Sequence, residues 1–168
     1  MMRIWTLVLA MCAMMVPAVA KGQMVIVARH AERADGGAAA PGTMTTGNDP
    51  ELSQAGKARA DKLAAMLADA GVVAIYTTEF RRTKDTAGPL AAKIGVKVEP
   101  VTSKDVSAVV AKIKSHTTGA VLVVGHSNTV PQIIKALGGS AVTMADDEYD
   151  SLFFVAANGT TTRIKFKP

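Results

Sequence analysis

The sequence predicts an α/β protein in which a mainly parallel sheet lies between two layers of helices. Short apolar runs typical of buried strands alternate with longer stretches of helical periodicity. Glycines stand at the ends of most predicted helices, where a helix C-terminus favours them. No linker, internal repeat or low-complexity tail interrupts the alternation. Together these observations favour a three-layer sandwich formed by one domain.

The predicted elements follow one another in regular order. Apolar runs predict strands at 24–28, 72–77, 96–99 and 120–124. Helical periodicity predicts helices at 53–69, 81–94, 105–115 and 129–137. Two further strand-like segments, 149–155 and 160–166, flank Asn158-Gly159, a dipeptide typical of tight hairpin turns. We therefore expect a C-terminal hairpin to complete one edge of the sheet.

The first twenty residues differ in character from the rest of the chain. Arg3 precedes an apolar stretch at 4–16, and Pro17-Ala18-Val19-Ala20 has the small residues of a cleavage site. This pattern predicts a secretory signal peptide at 1–20, followed by a single domain at 21–168. The expected location is periplasmic or secreted, with no stable membrane association after cleavage. An uncleaved membrane anchor is the alternative.

Composition excludes some partner classes. The net charge of +5 is dispersed along the chain, and aromatic residues make up only 4% of it, so a nucleic-acid surface is not indicated. The single cysteine, Cys12, lies within the predicted signal peptide, so the domain contains no disulfide. A modest positive charge instead suits an anionic small-molecule substrate.

Histidines and arginines follow three of the predicted strands. Arg29-His30 comes directly after 24–28, Gly125-His126 directly after 120–124, and Arg82 shortly after 72–77. The carboxyl ends of parallel strands meet at one sheet edge, which is where ligands bind in such folds. A neutral imidazole is a nucleophile, and arginine binds phosphate oxygens. The pattern predicts phosphoryl transfer through histidine, with no metal and no cofactor required.

Four blocks of sequence resemble the histidine phosphatase superfamily, whose members have the phosphoglycerate mutase-like fold. They occur in the family's order, and the resemblance spans roughly Met24 to Phe166. The blocks are Arg29-His30-Ala31, Leu52-Ser53-Gln54-Ala55-Gly56, Arg82-Thr83-Lys84-Asp85-Thr86-Ala87 and Gly125-His126-Ser127-Asn128.

The resemblance implies a role for each matching residue. His30 would be the nucleophile that becomes phosphohistidine, and Arg29, Arg82 and His126 would form the phosphate pocket. Arg82 is chosen over Arg81 because the family's arginine stands four residues before the threonine of its block. The implied activity is a metal-independent phosphomonoesterase that acts on a small phosphorylated substrate or a phosphoprotein.

Each of three polar residues in or next to the two histidine blocks has two interpretations. Ser127 and Asn128 are candidate substrate ligands, but both also suit the start of a helix as capping residues. Arg33 either reaches the substrate from the loop after the nucleophile or lies in solvent. The sequence leaves these alternatives open.

The general acid is the point where this chain departs from the family. Many members have a glutamate motif after the third strand, and no such motif is present here. The candidate proton donors are Glu32, Glu79, Glu99 and Asp105. Each also has an ordinary interpretation as a surface carboxylate, and Glu32 in particular could orient an arginine instead of donating a proton.

Two other functions remain open at this stage. One is a phosphotransferase of the mutase type, and the other is a phosphate- or phosphopeptide-binding module without turnover. Binding alone needs no nucleophile, so the presence of His30 with its three partners argues against the second. The natural substrate and the oligomeric state are not determined by the sequence.

Overall fold

The computed structural model describes residues 22–36 and 49–167. Both the predicted signal peptide and most of the loop after the first strand lie outside the described residues. Six strands form one sheet: β1 (Met24–Arg29), β2 (Val72–Thr77), β3 (Val98–Pro100), β4 (Ala120–Gly125), β5 (Ser151–Ala156) and β6 (Thr161–Lys165). Four helices are present among these residues: α1 (Gln54–Leu67), α2 (Arg81–Ile94), α3 (Val106–Lys114) and α4 (Thr129–Ala136).

The sheet is mixed but mainly parallel. Its strand order is β3-β2-β4-β1-β5-β6. The first four strands of the chain run parallel to one another, whereas β5 pairs antiparallel with β1, and β6 pairs antiparallel with β5. The predicted hairpin therefore completes the sheet edge, and the predicted fold class is confirmed.

Helices cover both faces of the sheet. Helices α1 and α2 pack together on one face, where Leu63 and Leu90 meet strand residues such as Leu122. Helices α3 and α4 pack on the other face, where Ile113 and Ile134 are fully buried. Burial of these apolar surfaces on both sides produces the three layers that the alternating sequence predicts.

Local signals set the helix ends close to the predicted positions. The Ser53 hydroxyl accepts a hydrogen bond of 3.0 Å from the Gly56 backbone N–H at the start of α1. Helix α2 ends at Gly95, whose φ of 72° lies in the left-handed region. The main difference concerns the third strand, which begins at Val98 rather than at residue 96, because only 98–100 pair with β2.

The register of the parallel strands brings their carboxyl ends together. Arg29 is opposite Gly125 in the β1–β4 pair, and Thr77 is opposite Val124 in the β2–β4 pair. The residues that follow these strands therefore leave the sheet at one edge. Among the described residues, no helix is long and apolar enough to span a lipid bilayer.

Candidate active site

His30 leaves β1 at this edge with a defined ring orientation. Its backbone N–H donates to the Gly125 carbonyl at 2.9 Å, and its Nδ1 lies 2.8 Å from the Ala31 carbonyl. Because a carbonyl can only accept, Nδ1 carries the hydrogen and Nε2 keeps its lone pair. Burial lowers the pKa of His30 well below its ordinary value. The ring is thus neutral at neutral pH, as a nucleophile must be.

His126 leaves β4 beside it. The two imidazole rings meet edge to face with their centroids 5.2 Å apart, and the Phe80 ring contacts His126 in a similar geometry at 5.4 Å. Burial lowers the pKa of His126 to about 3, and the cations Arg82, Arg29 and Arg33 act in the same direction. The structure therefore brings the two histidines singled out in the sequence into contact.

Arg29 is held by a segment that lies far away along the chain. One guanidinium nitrogen, Nη1, donates to the carbonyls of Ala145 and Glu148, each at 3.1 Å. The Tyr149 ring lies against the guanidinium, with 4.1 Å between the guanidinium carbon and the ring centroid. Tyr149 also faces His30, with 5.9 Å between the ring centroids. Tyr149 is a pocket residue for which the sequence contains no signal.

Arg82, rather than Arg81, is the buried arginine of α2. Its side chain lies over the Phe80 ring at 4.2 Å, and its Nη1 donates to Asp49 Oδ1 at 3.1 Å. Arg81 is exposed and forms ion pairs with Glu51 and Asp85. The choice of Arg82 from the spacing of its block agrees with this placement.

Arg33 is not a solvated side chain. It has only 10% of its side-chain surface exposed and forms an ion pair with Asp35. Its charge contributes to lowering the pKa values of both Arg82 and His126. Of the two interpretations, the geometry therefore favours proximity to the pocket.

Three guanidinium N–H groups share an unusual property. Among the described residues, the buried side-chain nitrogen and oxygen atoms without a hydrogen-bond partner are the Nε atoms of Arg29, Arg33 and Arg82. A buried donor without an acceptor costs free energy, and native structures rarely leave one. Three such donors lie on cations that interact electrostatically with one another, and guanidinium N–H groups are the donors that bind anions with several oxygens.

Ser127 and Asn128 lie at the start of α4 but not as side-chain caps. The Ser127 hydroxyl donates to Asp146 at 3.2 Å, and the Asn128 side chain forms no capping hydrogen bond. The hydroxyl of Thr129 instead accepts from the His126 backbone N–H at 2.8 Å. Asn128 is exposed, so it is accessible to a ligand, whereas Ser127 already has an acidic partner.

Two of the candidate proton donors already have polar partners near the strand ends. Glu32 accepts from Arg59 through both carboxylate oxygens, and Arg59 also donates to the Phe166 carbonyl at 2.8 Å. Glu79 accepts from the backbone N–H and the hydroxyl of Ser103, at 2.7 and 3.0 Å. Ion pairing with Arg59 lowers the pKa of Glu32, although burial opposes it. Glu32 therefore orients an arginine rather than standing protonated.

The other two candidates have structural partners at the surface. Glu99 lies on the short edge strand β3 and forms an ion pair with Lys112. Asp105 is the N-cap of α3 and accepts from the Ala108 backbone N–H at 2.8 Å. Both carboxylates are exposed. None of the four candidates thus has its carboxylate free of other partners.

Several supporting residues were not singled out in the sequence. Thr78 contacts His126, Asp49 orients Arg82, and the Thr86 hydroxyl accepts from the Ala31 backbone N–H at 2.9 Å. Thr78 and Thr86 stand near or within the Arg82 block, so proximity to that motif was an available signal. Within residues 22–36 and 49–167, no group of His, Cys, Asp and Glu side chains is arranged to hold a metal ion.

Comparisons with known proteins agree with the fold. Residues 25–105 match the sequence model of the histidine phosphatase superfamily (branch 1). No curated protein sequence matches the chain. Among solved structures, a protein assigned as the phosphohistidine phosphatase SixA from Agrobacterium tumefaciens is 21% identical, with a TM-score of 0.60 over 86% of this chain and 97% of that one.

A second similar structure is a mycobacterial glucosyl-3-phosphoglycerate phosphatase. It is 14% identical and has a TM-score of 0.60 over 86% of this chain and 98% of that one. A third, described as a mycobacterial hydrolase, is 15% identical with a TM-score of 0.61, over 86% of this chain and 97% of that one. At identities this low, the structural similarity shows a shared fold and does not identify a substrate.

Proposed function

We propose that this chain is a phosphatase of the histidine phosphatase superfamily that acts through a phosphohistidine at His30. The observation that carries the proposal is the set of three unpartnered Nε donors on Arg29, Arg33 and Arg82, in the same pocket as a neutral histidine. An anion with several oxygens would satisfy these donors, and the Nε2 lone pair of His30 could then attack its phosphorus.

The reaction consists of two displacements. In the first, His30 Nε2 forms a bond to phosphorus while the bond from phosphorus to the leaving group breaks, and the leaving group keeps the electron pair. In the second, water attacks the phosphohistidine, the P–N bond breaks and inorganic phosphate is released. Splitting hydrolysis in this way replaces one difficult step by two easier ones. The second step regenerates the free histidine.

Arginines supply the transition-state stabilisation in this proposal. The charge on the transferring phosphoryl group is spread over its equatorial oxygens, and fixed cations stabilise it without reorganisation. Arg29 and Arg82 are each held in place, by the Ala145 and Glu148 carbonyls and by Asp49 respectively. We therefore propose that turnover needs no metal ion. Loss of activity in a chelator, restored by one specific divalent ion, would contradict this.

The proposed substrate class follows from the hydrogen bonds and ion pairs that the four candidate proton donors already form. Because Glu32, Glu79, Glu99 and Asp105 all have structural partners, we propose a substrate whose leaving group departs without a strong proton donor. Aryl phosphates and acyl phosphates meet this condition, and so does phosphohistidine, whose imidazole can leave with a proton on its other ring nitrogen. The similar structure assigned as a phosphohistidine phosphatase makes a phosphorylated protein side chain one candidate, and a small phosphorylated metabolite is the other.

The proposal also includes the location of the enzyme, which we expect to be exported. The signal-like sequence at 1–20 indicates that the phosphatase domain at 21–168 works in the periplasm or outside the cell. This part of the proposal rests on sequence alone.

The decisive experiment removes the nucleophile. His30→Ala should lower the hydrolysis of an aryl phosphate by at least about three orders of magnitude, because it removes the proposed nucleophile. Rapid alkaline quenching of the wild type with a ³²P-labelled substrate should trap a phosphoenzyme that is stable to base and labile to acid. The matched control is His116→Gln, because His116 contacts Tyr76 and not the pocket.

The same experiment separates catalysis from binding alone. A binding module would bind phosphate with or without His30 but hydrolyse nothing in either form. A phosphoenzyme that passes its phosphoryl group to a second substrate faster than to water would instead indicate a phosphotransferase. Unchanged hydrolysis in His30→Ala would refute the proposed mechanism.

A further inference from the structure

Beneath His126 lies a short chain of buried hydroxyls that the proposed reaction does not use. Thr78 Oγ1 lies 2.9 Å from His126 Nε2 and 2.9 Å from Thr83 Oγ1. All three residues are buried, with Thr83 fully so. Water is therefore excluded from these contacts, so each hydroxyl can donate its hydrogen only to one of the few protein acceptors nearby.

The direction of the chain follows from counting hydrogens. The Thr83 hydroxyl has one hydrogen, and its shortest contact is the Phe80 carbonyl at 2.7 Å. Two oxygens at this distance repel each other unless a hydrogen lies between them, and a carbonyl has none to give. The Thr83 hydrogen therefore points to Phe80, and Thr83 Oγ1 is left to accept from Thr78.

The same count then applies to His126. Once the Thr78 hydroxyl donates to Thr83, its oxygen can only accept, so the hydrogen in the contact with His126 must be on Nε2. Within residues 22–36 and 49–167, no hydrogen bond involves His126 Nδ1. That nitrogen is the one left for a ligand.

We propose that Thr78 is a positioning residue that holds neutral His126 as the Nε2–H tautomer, fixes its ring plane, and so keeps the Nδ1 lone pair free to accept the hydrogen of a singly protonated phosphoryl group. The inference rests on the proposed function for its catalytic consequence, but the tautomer itself is a property of the free protein. A ring held in this way accepts that hydrogen without first having to rotate or exchange its own proton.

The test uses the small number of histidines in the chain. The sequence contains three histidines, so ¹⁵N-histidine labelling gives a spectrum in which each ring can be assigned from His30→Ala and His116→Gln. Correlations from each ring nitrogen to the two ring C–H groups distinguish Nε2 from Nδ1. In the free protein at pH 7, His126 should carry its hydrogen on Nε2.

Three variants separate positioning from simple loss of packing. Thr78→Val keeps the shape of the side chain but removes the hydroxyl, and it should give a mixture of His126 tautomers. Thr78→Ser should restore the wild-type spectrum. Thr77→Val is the matched control, because Thr77 is also buried at the end of β2 but its hydroxyl bonds to the Thr78 carbonyl and does not contact His126.

Activity supplies the second readout. The kcat for an aryl phosphate should fall by about 10- to 100-fold in Thr78→Val, the scale typical when a residue that orients an active-site histidine is removed, and should recover in Thr78→Ser. Thr83→Val should shift the tautomer in the same direction, which provides a second variant if Thr78→Val folds poorly.

Failure of this proposal is distinguishable from failure of the proposed function. If wild-type His126 carries its hydrogen on Nδ1, or if Thr78→Val leaves the tautomer unchanged, the positioning role is refuted even though phosphate esters are hydrolysed. If the tautomer is as stated but no phosphate ester is hydrolysed, the proposed function fails and the structural assignment holds.

Discussion

The imidazoles of His30 and His126 meet edge to face, with their ring centroids 5.2 Å apart, although they follow different strands. This contact depends on the parallel register of β1 and β4, which places Arg29 opposite Gly125. Both rings are neutral at neutral pH because burial lowers the pKa of each. Two imidazolium ions at this distance would repel each other, so neutrality of at least one ring is required for the pair to form.

The first prediction concerns the anion pocket. Arg33→Gln should weaken the binding of inorganic phosphate by roughly 10- to 100-fold, because a hydrogen bond to a charged group contributes about 1.5–3 kcal/mol. The measurement is the Kd by calorimetry at fixed ionic strength. Arg81→Gln, which removes an exposed arginine of the adjacent helix, is the control and should leave the Kd unchanged. Equal Kd values for the Arg33 variant and the wild type would exclude Arg33 from the pocket.

The second prediction concerns stability at mildly acidic pH. His30 and His126 have folded-state pKa values below the ordinary value of 6.5, so the unfolded chain binds more protons than the folded one below that pH. Their stabilising contribution is complete above pH 6.5 and is lost as the pH falls towards the folded-state pKa. Between pH 7 and pH 5, the free energy of unfolding should fall by about 2 kcal/mol from His126 alone, and His30 should add to this fall.

Urea denaturation at several pH values measures this loss. The pH range above 5 avoids most of the titration of carboxylates such as Glu32 and Asp150, whose pKa values are also lowered. His126→Asn, which cannot titrate, should show a decrease about 2 kcal/mol smaller than that of the wild type. A variant with the full wild-type decrease would mean that His126 does not titrate as described.

The third prediction concerns the leaving group. With Glu79 bonded to Ser103 and Glu32 to Arg59, kcat/KM should rise steeply as the leaving group becomes more acidic. A series of aryl and alkyl phosphates tests this, and the alkyl esters should be slower by about two to four orders of magnitude, the usual contribution of a general acid. A flat dependence, with chemistry shown to be rate-limiting, would mean that a proton donor exists. Glu79→Gln and Glu32→Gln would then identify it if either steepens the dependence.

The fourth prediction concerns export. Expression of the full chain in a Gram-negative host should yield a periplasmic protein whose first residue is Lys21, because the small residues at Ala18 and Ala20 form the expected cleavage site. Fractionation followed by intact-mass measurement checks both points. Recovery of the uncleaved chain in the membrane fraction would support the alternative of an N-terminal anchor.

Much of the fold was predictable because it depends on local patterns. Apolar runs and helical periodicity identified the elements of the sheet and both helix layers, and Asn158-Gly159 identified the hairpin turn. The start of β3, a short strand at the sheet edge, was predicted two residues too early, because pairing with a single neighbour decides where that strand begins. Pairing of that kind is a long-range property that local sequence does not encode.

The sequence by itself determined which residues follow the parallel strands, and therefore that Arg29, His30, Arg82 and His126 would lie at one edge. It could not determine their partners. Arg29 is held by Ala145 and Glu148 from a distant segment, the carboxylate of Glu32 is taken by Arg59, and Thr78 meets His126. These contacts decide which tautomer each active-site histidine adopts, which arginine N–H groups remain unpartnered, and which carboxylates already have hydrogen-bond partners. They form only when segments far apart in the chain pack together, because hydrogen bonds act over a few ångströms and burial is a property of the whole fold.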